Sequence, residues 1–310
     1  MIYDIIADVH GEGERLHLLL KKLGYSRRGS VFSQPGHQAV FLGDLIDRGP
    51  QEKMALTTVM AMHESGAALC ILGNHEYNAV TWDAVNPLTG SHYRSHSIKH
   101  RQQHEAYLRE IGNDTAFNQR VIQWFQTLPF TVTVGGLICV HACPDQLSLD
   151  MLSKACPEMV FSKNNRRFFT ECATRGTVLG QALARVICGI EFPAPDGRSF
   201  MDPYGQLRTE CRMRWWAKHP KTYGEASFPE DIKNPLWSLP ISDPSILPPV
   251  SWNTSFLVAC GHYDLPYRSR PFALSARCTS IDFGVASGGP LVSYRYEGED
   301  VFINSHFSWV

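Results

Sequence analysis

Short apolar runs that each end in a polar cluster most restrict how this 310-residue chain can fold. IYDIIA, AVFLG and ALCILG are typical of buried β-strands, and the helical patterns ERLHLLLKKLGY and EKMALTTVMAMHESG follow the first two. This alternation predicts a mainly parallel sheet with helices outside it. Because the carboxyl ends of parallel strands meet at one edge of a sheet, the polar side chains that follow them should lie together.

The rest of the chain divides into three further stretches. Residues 74–128 are predicted to be mainly helical, and FTVTVGGLICVHA is typical of a hairpin. Residues 145–250 contain helical stretches and then a Pro-, Trp- and Gly-rich tract over 192–249, which we predict to be long ordered loops. Strands return in SFLVACGH, CTSIDFG, PLVSYRYEG and DVFINSHF. With no internal repeat or linker, we expect one domain over 1–310 with residues 145–250 as an inserted cap or rim.

Charge and cysteine content exclude several classes of protein. The 29 basic and 30 acidic residues almost cancel, which argues against a protein that mainly binds a nucleic-acid backbone. No apolar run reaches the length of a membrane span, and the N-terminus does not resemble a secretion signal. The nine cysteines form no CxxC pair. We therefore expect a cytoplasmic protein with reduced thiols and no membrane contact.

A polar cluster follows each of five predicted strands, in the motifs DVHG, GDLIDRG, GNHE, VHA and GHYD. Together they supply carboxylate, amide and imidazole groups but no thiolate, which is the ligand set of a divalent cation such as Mn, Fe or Zn. The candidate residues are Asp8, His10, Asp44, Asp47, Arg48, Asn74, His75, His141, His262 and Asp264.

These motifs resemble those of the calcineurin-like metallophosphoesterases. The DRG and NHE variants are similar to the branch that contains phosphoprotein phosphatases and symmetrical diadenosine tetraphosphatases. The resemblance covers residues 2–143 and resumes over 256–304. It implies an α/β/β/α sandwich of two mixed sheets flanked by helices. It also implies a hydrolase that cleaves a phosphoric ester or anhydride at a dinuclear metal centre.

The resemblance assigns the metal ligands residue by residue. Asp44 would bridge two divalent cations, most simply Mn, with Fe or Zn as alternatives, and a hydroxide between them would attack phosphorus in line. Many family members have a histidine where this chain has Asp264, so either Asp264 or a water would complete the first cation, and the resemblance favours water. The other ligands would be Asp8 and His10 for the first cation, and Asn74, His141 and His262 for the second.

The resemblance also implies the groups that act on the phosphate. His75 would protonate the leaving oxygen, and Asp47 would orient its ring and favour its protonated form. Arg48 would bind the phosphoryl oxygens through its bidentate guanidinium. A second arginine from the segment between VHA and GHYD is expected to reach the phosphate, and Arg212 and Arg214 are the candidates.

Four histidines spaced four residues apart form a possible helix face. An i, i+4 pair of histidines can chelate a metal, but no carboxylate completes the set, so a solvated face is favoured. Nearby Arg94, Lys99 and Arg101 could attract an anionic substrate to the rim of the site. The four histidines are His92, His96, His100 and His104.

Three other residues have both a structural and a functional interpretation, and a fourth has a structural one alone. Glu76 could either brace its loop or contact substrate. Trp215 and Trp216 are expected to pack in the core, with base stacking as the alternative. Asp282 is expected to be structural.

Three hypotheses remain for the substrate. The first is a symmetrical dinucleoside tetraphosphatase or a close relative acting on a nucleotide polyphosphate, which a deep pocket would suit. The second is a serine/threonine protein phosphatase acting on a phosphoprotein, for which a shallow groove would be suitable. The third is a partner-binding module with low activity, although such a module has no need of a poised acid like His75.

Overall fold

The computed structural model describes residues 1–201, 207–229, 235–267 and 269–310. Its helices are α1 (Gly13–Leu23), α2 (Glu52–Glu64), α3 (Asn74–Asp83), α4 (Ile98–Gln103), α5 (Glu105–Glu110), α6 (Thr115–Phe125), α7 (Gln146–Ala155), α8 (Arg166–Ala173), α9 (Val178–Cys188) and α10 (Tyr223–Ala226). Its strands are β1 (Ile2–Ile6), β2 (Ser26–Arg28), β3 (Val31–Ser33), β4 (His37–Phe41), β5 (Ala68–Cys70), β6 (Thr131–Val134), β7 (Leu137–Val140), β8 (Glu191–Pro193), β9 (Phe200–Met201), β10 (Leu207–Arg208), β11 (Glu210–Met213), β12 (Ser227–Phe228), β13 (Leu257–Cys260), β14 (Cys278–Ser280), β15 (Val292–Tyr296) and β16 (Phe307–Trp309).

Two mixed sheets organise these elements. The first has the order β16-β15-β1-β4-β5; β1, β4 and β5 are parallel, β15 is antiparallel to β1, and β16 is antiparallel to β15. The second has the order β14-β13-β7-β6, with β14, β13 and β7 parallel and β6 antiparallel to β7. Buried side chains of both sheets and of the flanking helices form one hydrophobic cluster. The expected α/β/β/α sandwich is confirmed.

Local sequence explains how the first helix begins to build this core. Leu16, Leu19, Leu20 and Leu23 recur at helical spacing and all four are buried, so α1 packs one apolar face inward. The helix ends at Gly24, whose φ of 99° lets its backbone N–H reach the free carbonyls of the last turn. In the described part of the chain, no helix is long and apolar enough to cross a membrane.

The structure differs from the sequence prediction mainly outside the two sheets. The tract over 192–249 was expected to be loops, but it contributes a small antiparallel sheet of β8, β11 and β12; its residues 202–206 and 230–234 lie outside the described residues. The β2–β3 hairpin has no counterpart in the prediction. DVFINSHF was predicted to be a strand, but most of it is loop and a 3₁₀ turn, and β16 begins only at Phe307.

Candidate active site at the ends of the strands

The loops that follow β1, β4 and β13 adopt backbone conformations that are rare for residues with side chains. Such conformations cost about 1–3 kcal/mol each, and they cluster where function requires them. Backbone hydrogen bonds hold the first two loops together, because Val9 N and His10 N both donate to the Asp44 carbonyl. The described chain has eight non-glycine residues with positive φ, and five carry predicted site side chains: His10, Asp44, Asp47, Arg48 and His262.

Glu76 fixes the loop after β4 from the first turn of α3. One carboxylate oxygen accepts hydrogen bonds from Asp44 N (2.8 Å) and Gly73 N (3.0 Å), and the other accepts one from Leu45 N (2.8 Å). Gly73 has no room for a side chain, since a Cβ there would lie 2.4 Å from Asp44 N. The structure therefore favours the bracing role for Glu76 over contact with substrate.

Two groups of potential ligands share Asp44. Nε2 of His10 lies 3.9 Å from Asp44 Oδ2, and Nε2 of His141 lies 3.4 Å from Asp44 Oδ1. Asn74 Oδ1 joins the second group, at 3.0 Å from His141 Nε2 and 2.8 Å from His262 Nδ1. Within each group the ligand atoms lie within 4.8 Å of one another; the groups are His10, Asp44 and His75, and Asp44, His141 and His262.

The imidazoles around Asp44 are arranged as ligands of a cation would be. Nδ1 of His10 donates to a backbone carbonyl at 2.9 Å, and Nδ1 of His141 donates to another at 2.7 Å, so both rings direct Nε2 toward Asp44. Asn74 Oδ1 lies between Nε2 of His141 and Nδ1 of His262, and one oxygen with two imidazole nitrogens is a donor set that a divalent cation binds. These residues therefore fit a divalent cation.

Asp8 lies beside the second group. Its carboxylate accepts a hydrogen bond from His262 N at 3.0 Å, and it is almost fully buried. Burial and the nearby Asp282 carboxylate raise the pKa of Asp8 well above its usual value. A neighbouring cation would favour the ionised form instead.

Asp47 lies between two histidine rings. Its Oδ2 accepts a hydrogen bond from His75 Nδ1 at 2.5 Å, and its Oδ1 accepts one from His104 Nδ1 at 2.8 Å. Burial alone would raise the pKa of Asp47, but the hydrogen bonds from His104 and His75 outweigh it and hold the pKa well below its usual value. Burial lowers the pKa of His75, but Asp44 and Asp47 reverse this, so the net shift is upward.

The prediction that the four histidines form a solvated face is wrong for His104. His104 follows α4 and is only 5% exposed, and its ring stacks on Tyr107 with centroids 4.6 Å apart. His92 and His96 precede the helix and are exposed, with their rings stacked at 4.0 Å. Among the residues that the structure describes, none of the four histidines belongs to a group of potential metal ligands. The burial of His104 could not be predicted from the sequence, because it depends on how α4 and α5 pack.

Most of the predicted residues, but not the fully buried His141, line one cleft of about 620 Å³ together with several arginines. Arg212, on β11, is half-buried in this cleft, whereas Arg214, just after the strand, is not among the lining residues. The arginines of the cleft are Arg48, Arg94, Arg109, Arg208 and Arg212. Trp215 and Trp216 do not line it; Trp215 donates to the Ala142 carbonyl, and Trp216 packs on Tyr263.

Two carboxylates from the second sheet complete this side of the cleft. Asp264 lines it and accepts a hydrogen bond from Ser287 Oγ at 2.8 Å, but belongs to neither ligand group in the described chain. Asp282 also lines the cleft, and burial raises its pKa to about 6. Asp282 was expected to be structural. It follows β14, however, which is parallel to β13, and polar residues after neighbouring parallel strands meet at one edge of a sheet. The same argument that found the other residues could therefore have found Asp282.

Curated proteins match part of the chain. The bis(5'-nucleosyl)-tetraphosphatase PrpE (asymmetrical) of Anoxybacillus flavithermus is 45% identical over 76 residues, which cover 24% of this chain and 31% of that protein. The protein of the same name from Bacillus subtilis is 30% identical over 147 residues, covering 46% of this chain and 57% of that protein. The chain thus spans from about a third to somewhat over half of the length of these relatives.

Solved structures share the fold. A cold-active protein tyrosine phosphatase aligns with 96% of this chain and 78% of its own, with a TM-score of 0.51 and 15% identity, which supports the architecture alone. The sequence profile described as calcineurin-like phosphoesterase matches residues 1–172, more than half of the 310. The matched residues include the first four of the five strand-end motifs. The chain therefore belongs to the calcineurin-like phosphoesterase family.

Proposed function

We propose that this protein hydrolyses a phosphoric anhydride of a dinucleoside tetraphosphate, with two divalent cations held around Asp44. The observation that carries the proposal is the sharing of Asp44 by two ligand groups inside a cleft that also contains five arginines. A metal centre beside several guanidinium groups suits a small, highly charged phosphate substrate. The names of the PrpE relatives agree with this class of substrate.

The ligand assignment follows the family's motifs, and the two geometric groups agree with it for His10, for His141 and His262, and for Asp44, which belongs to both groups. The first cation would bind Asp8, His10 and Asp44, with water rather than Asp264 completing its shell. The second would share Asp44 and bind Asn74, His141 and His262. Oxygen and nitrogen donors suit Mn, with Fe or Zn as alternatives. When bound, the two cations supply Lewis-acid activation of a water and of the phosphoryl group.

The chain's own side chains then handle the proton and the phosphate. His75, held by Asp47, donates a proton to the leaving oxygen. Arg48 and Arg212 bind phosphoryl oxygens from two sides of the cleft, and in doing so they orient the phosphorus for attack. Arg208 and Arg212 come from residues 145–250, which supports our view of that segment as a rim of the site in a single domain. The nine free cysteines, eight of them buried, support a reducing cytoplasmic location.

A side-by-side assay tests the proposal. The Mn²⁺-loaded protein is given diadenosine tetraphosphate and a phosphoserine peptide, with Asp44→Asn as the blank, and kcat/KM is compared. We expect at least a hundredfold preference for the dinucleotide, equivalent to about 2.7 kcal/mol of transition-state binding. The names of the relatives make ATP and AMP the expected products, whereas symmetrical cleavage would give two ADP.

The other outcomes overturn the proposed substrate in different ways. A preference for the peptide would favour a protein phosphatase. Turnover of neither compound above the blank would exclude both substrates and make other phosphoesters the candidates.

A further inference from the structure

One wall of the cleft, formed by α3 and the α4–α5 segment, contains a fixed guanidinium. Nη1 of Arg94 donates to Asn78 Oδ1 at 2.7 Å, and Nη2 donates to Gln103 Oε1 at 2.8 Å. Both acceptors are neutral amides. No carboxylate oxygen in the described chain lies within 4.0 Å of the Arg94 nitrogens, and this includes Glu105, which lines the same wall. The guanidinium is therefore oriented but not neutralised.

The position of Asn78 places this guanidinium close to the reaction centre. Asn78 follows Asn74 by four residues on α3, so the two share one face of the helix. Four residues correspond to about 6 Å along the helix axis. Both side chains line the cleft, as do His75 and Arg94. Arg94 thus lies about one helical turn beyond the residues assigned to the scissile phosphate.

The electrostatic environment of Arg94 favours an anion. The side chain is half-buried, and burial together with the nearby charge of Arg175 lowers its pKa, against the weaker opposite influence of the Asp47 carboxylate. Arg109 adds another positive charge to the same wall. Half-buried cations without a counter-ion are unfavourable, and a bound phosphate would relieve this cost while accepting charge-assisted hydrogen bonds.

We propose that Arg94, held by Asn78 and Gln103, binds a phosphate of the substrate beyond the phosphorus that is attacked. This rests on the proposed phosphoesterase function and deepens it: the site selects polyphosphates over simple monoesters. Arg48 and Arg212 bind the reacting phosphoryl group, and Arg94 binds the next phosphate of the substrate. Arg94 is thus a specificity-determining residue.

The test compares a substrate that has a second phosphate with one that does not. The kcat/KM of Mn²⁺-loaded wild type, Arg94→Gln and Arg94→Lys is measured on diadenosine tetraphosphate and on p-nitrophenyl phosphate. For Arg94→Gln, the ratio of the two values should fall roughly 10- to 100-fold, as expected for loss of charge-assisted hydrogen bonds. Arg94→Lys should fall between wild type and Arg94→Gln, because it retains the charge but not the bidentate geometry.

Two further variants control the comparison. Arg120→Gln removes an exposed arginine that pairs with Glu64 outside the cleft, so neither kcat/KM should change. Gln103→Leu leaves the charge of Arg94 in place but removes one of the two contacts that orient its guanidinium. The ratio of the two kcat/KM values should therefore fall by a smaller factor in Gln103→Leu than in Arg94→Gln. An equal loss on both substrates in Arg94→Gln would indicate a merely structural role and overturn the inference, as would an unchanged ratio.

A binding measurement keeps this inference separate from the proposed function. Inorganic tripolyphosphate is titrated calorimetrically into wild type and Arg94→Gln without added divalent metal. We expect at least tenfold weaker binding by the variant. If wild type hydrolyses neither phosphate compound yet binds tripolyphosphate through Arg94, the proposed function fails and the anion site stands. Equal affinities, or no binding by wild type, would overturn the anion site.

Discussion

The floor of the cleft, which consists of the residues assigned to the cations and the reacting phosphate, and the α3–α5 wall, which begins after the first turn of α3, hold their side chains by different means. On the floor, Asp44 and His141 are nearly inaccessible, and strained loops and backbone hydrogen bonds fix them. On the wall, Arg94 is half-buried and Gln103 is exposed, and contacts between side chains orient them. Backbone contacts restrict which residues can occupy the floor, whereas a single side chain of the wall can be replaced without disturbing the backbone.

This difference separates chemistry from selectivity. Substitutions on the floor should remove turnover for every substrate, because they disturb groups that act on the reacting phosphorus. Substitutions on the wall should change which substrate is preferred. His104 lies at the boundary, since it comes from the wall but contacts the floor residue Asp47.

Asp44→Asn should have the largest effect. The amide retains the shape but has no charge to share between two cations, so turnover should fall to the blank level on both diadenosine tetraphosphate and p-nitrophenyl phosphate. Metal content, measured by mass spectrometry after dialysis, should fall as well. Asp264→Asn should keep its metal content, because water is expected to complete the first cation. A fully active Asp44→Asn would contradict the assignment of the floor.

His75→Asn should lower turnover by roughly 10²- to 10⁴-fold, the usual scale of general acid catalysis. The loss should be large on phenyl phosphate, whose leaving group needs the proton, and smaller on p-nitrophenyl phosphate. Metal content should stay at the wild-type level, since Asn74 and His141 are unchanged. Equal turnover of phenyl phosphate by variant and wild type would remove His75 from the role of acid.

His104→Leu should have an intermediate effect. It leaves Asp47 Oδ1 buried without its donor, at a cost of about 1–3 kcal/mol in stability, and it frees the carboxylate that orients His75. We expect kcat to fall about tenfold with little change in KM, and His104→Gln to recover part of the loss because its amide can donate. His92→Leu, at an exposed position, is the control. A loss of stability without a loss of kcat would mean that His104 is only structural.

The strand-end residues could be predicted from the sequence because two local facts determine their positions. Apolar runs of strand length are recognisable, and parallel strands direct their carboxyl ends to one edge, so Asp8, Asp44 and Asn74 had to be neighbours. The contact of His104 with Asp47 could not be predicted in this way, because the four-residue spacing of the histidines is the same whether His104 faces solvent or Asp47. The sequence also could not separate Arg212 from Arg214, since only the end of β11 at Met213 distinguishes them.

Glu52→Gln should have the smallest effect on turnover, and its stability tests the junction of floor and wall. Glu52 Oε2 accepts a hydrogen bond from Asp47 N, and Glu52 N donates to Glu110. Burial, with Asp47 and then Glu110 and Glu76 as further negative neighbours, raises the pKa of Glu52 from 4.5 to about 9. The folded state therefore keeps a proton that the unfolded chain releases between these values, so stability is lost as pH rises through this window.

The variant removes this titration, since its amide oxygen can still accept from Asp47 N. The free energy of unfolding of Glu52→Gln relative to wild type should therefore increase from pH 5.5 to 8.5, by at most about 1.4 kcal/mol per pH unit. Thermal unfolding across this range measures the difference. Glu14→Gln, an exposed change in the first turn of α1, controls for loss of charge at a helix start. A difference between Glu52→Gln and wild type that does not vary with pH would mean that Glu52 is ionised in the folded protein, and the junction would then contain a buried negative charge beside Asp47.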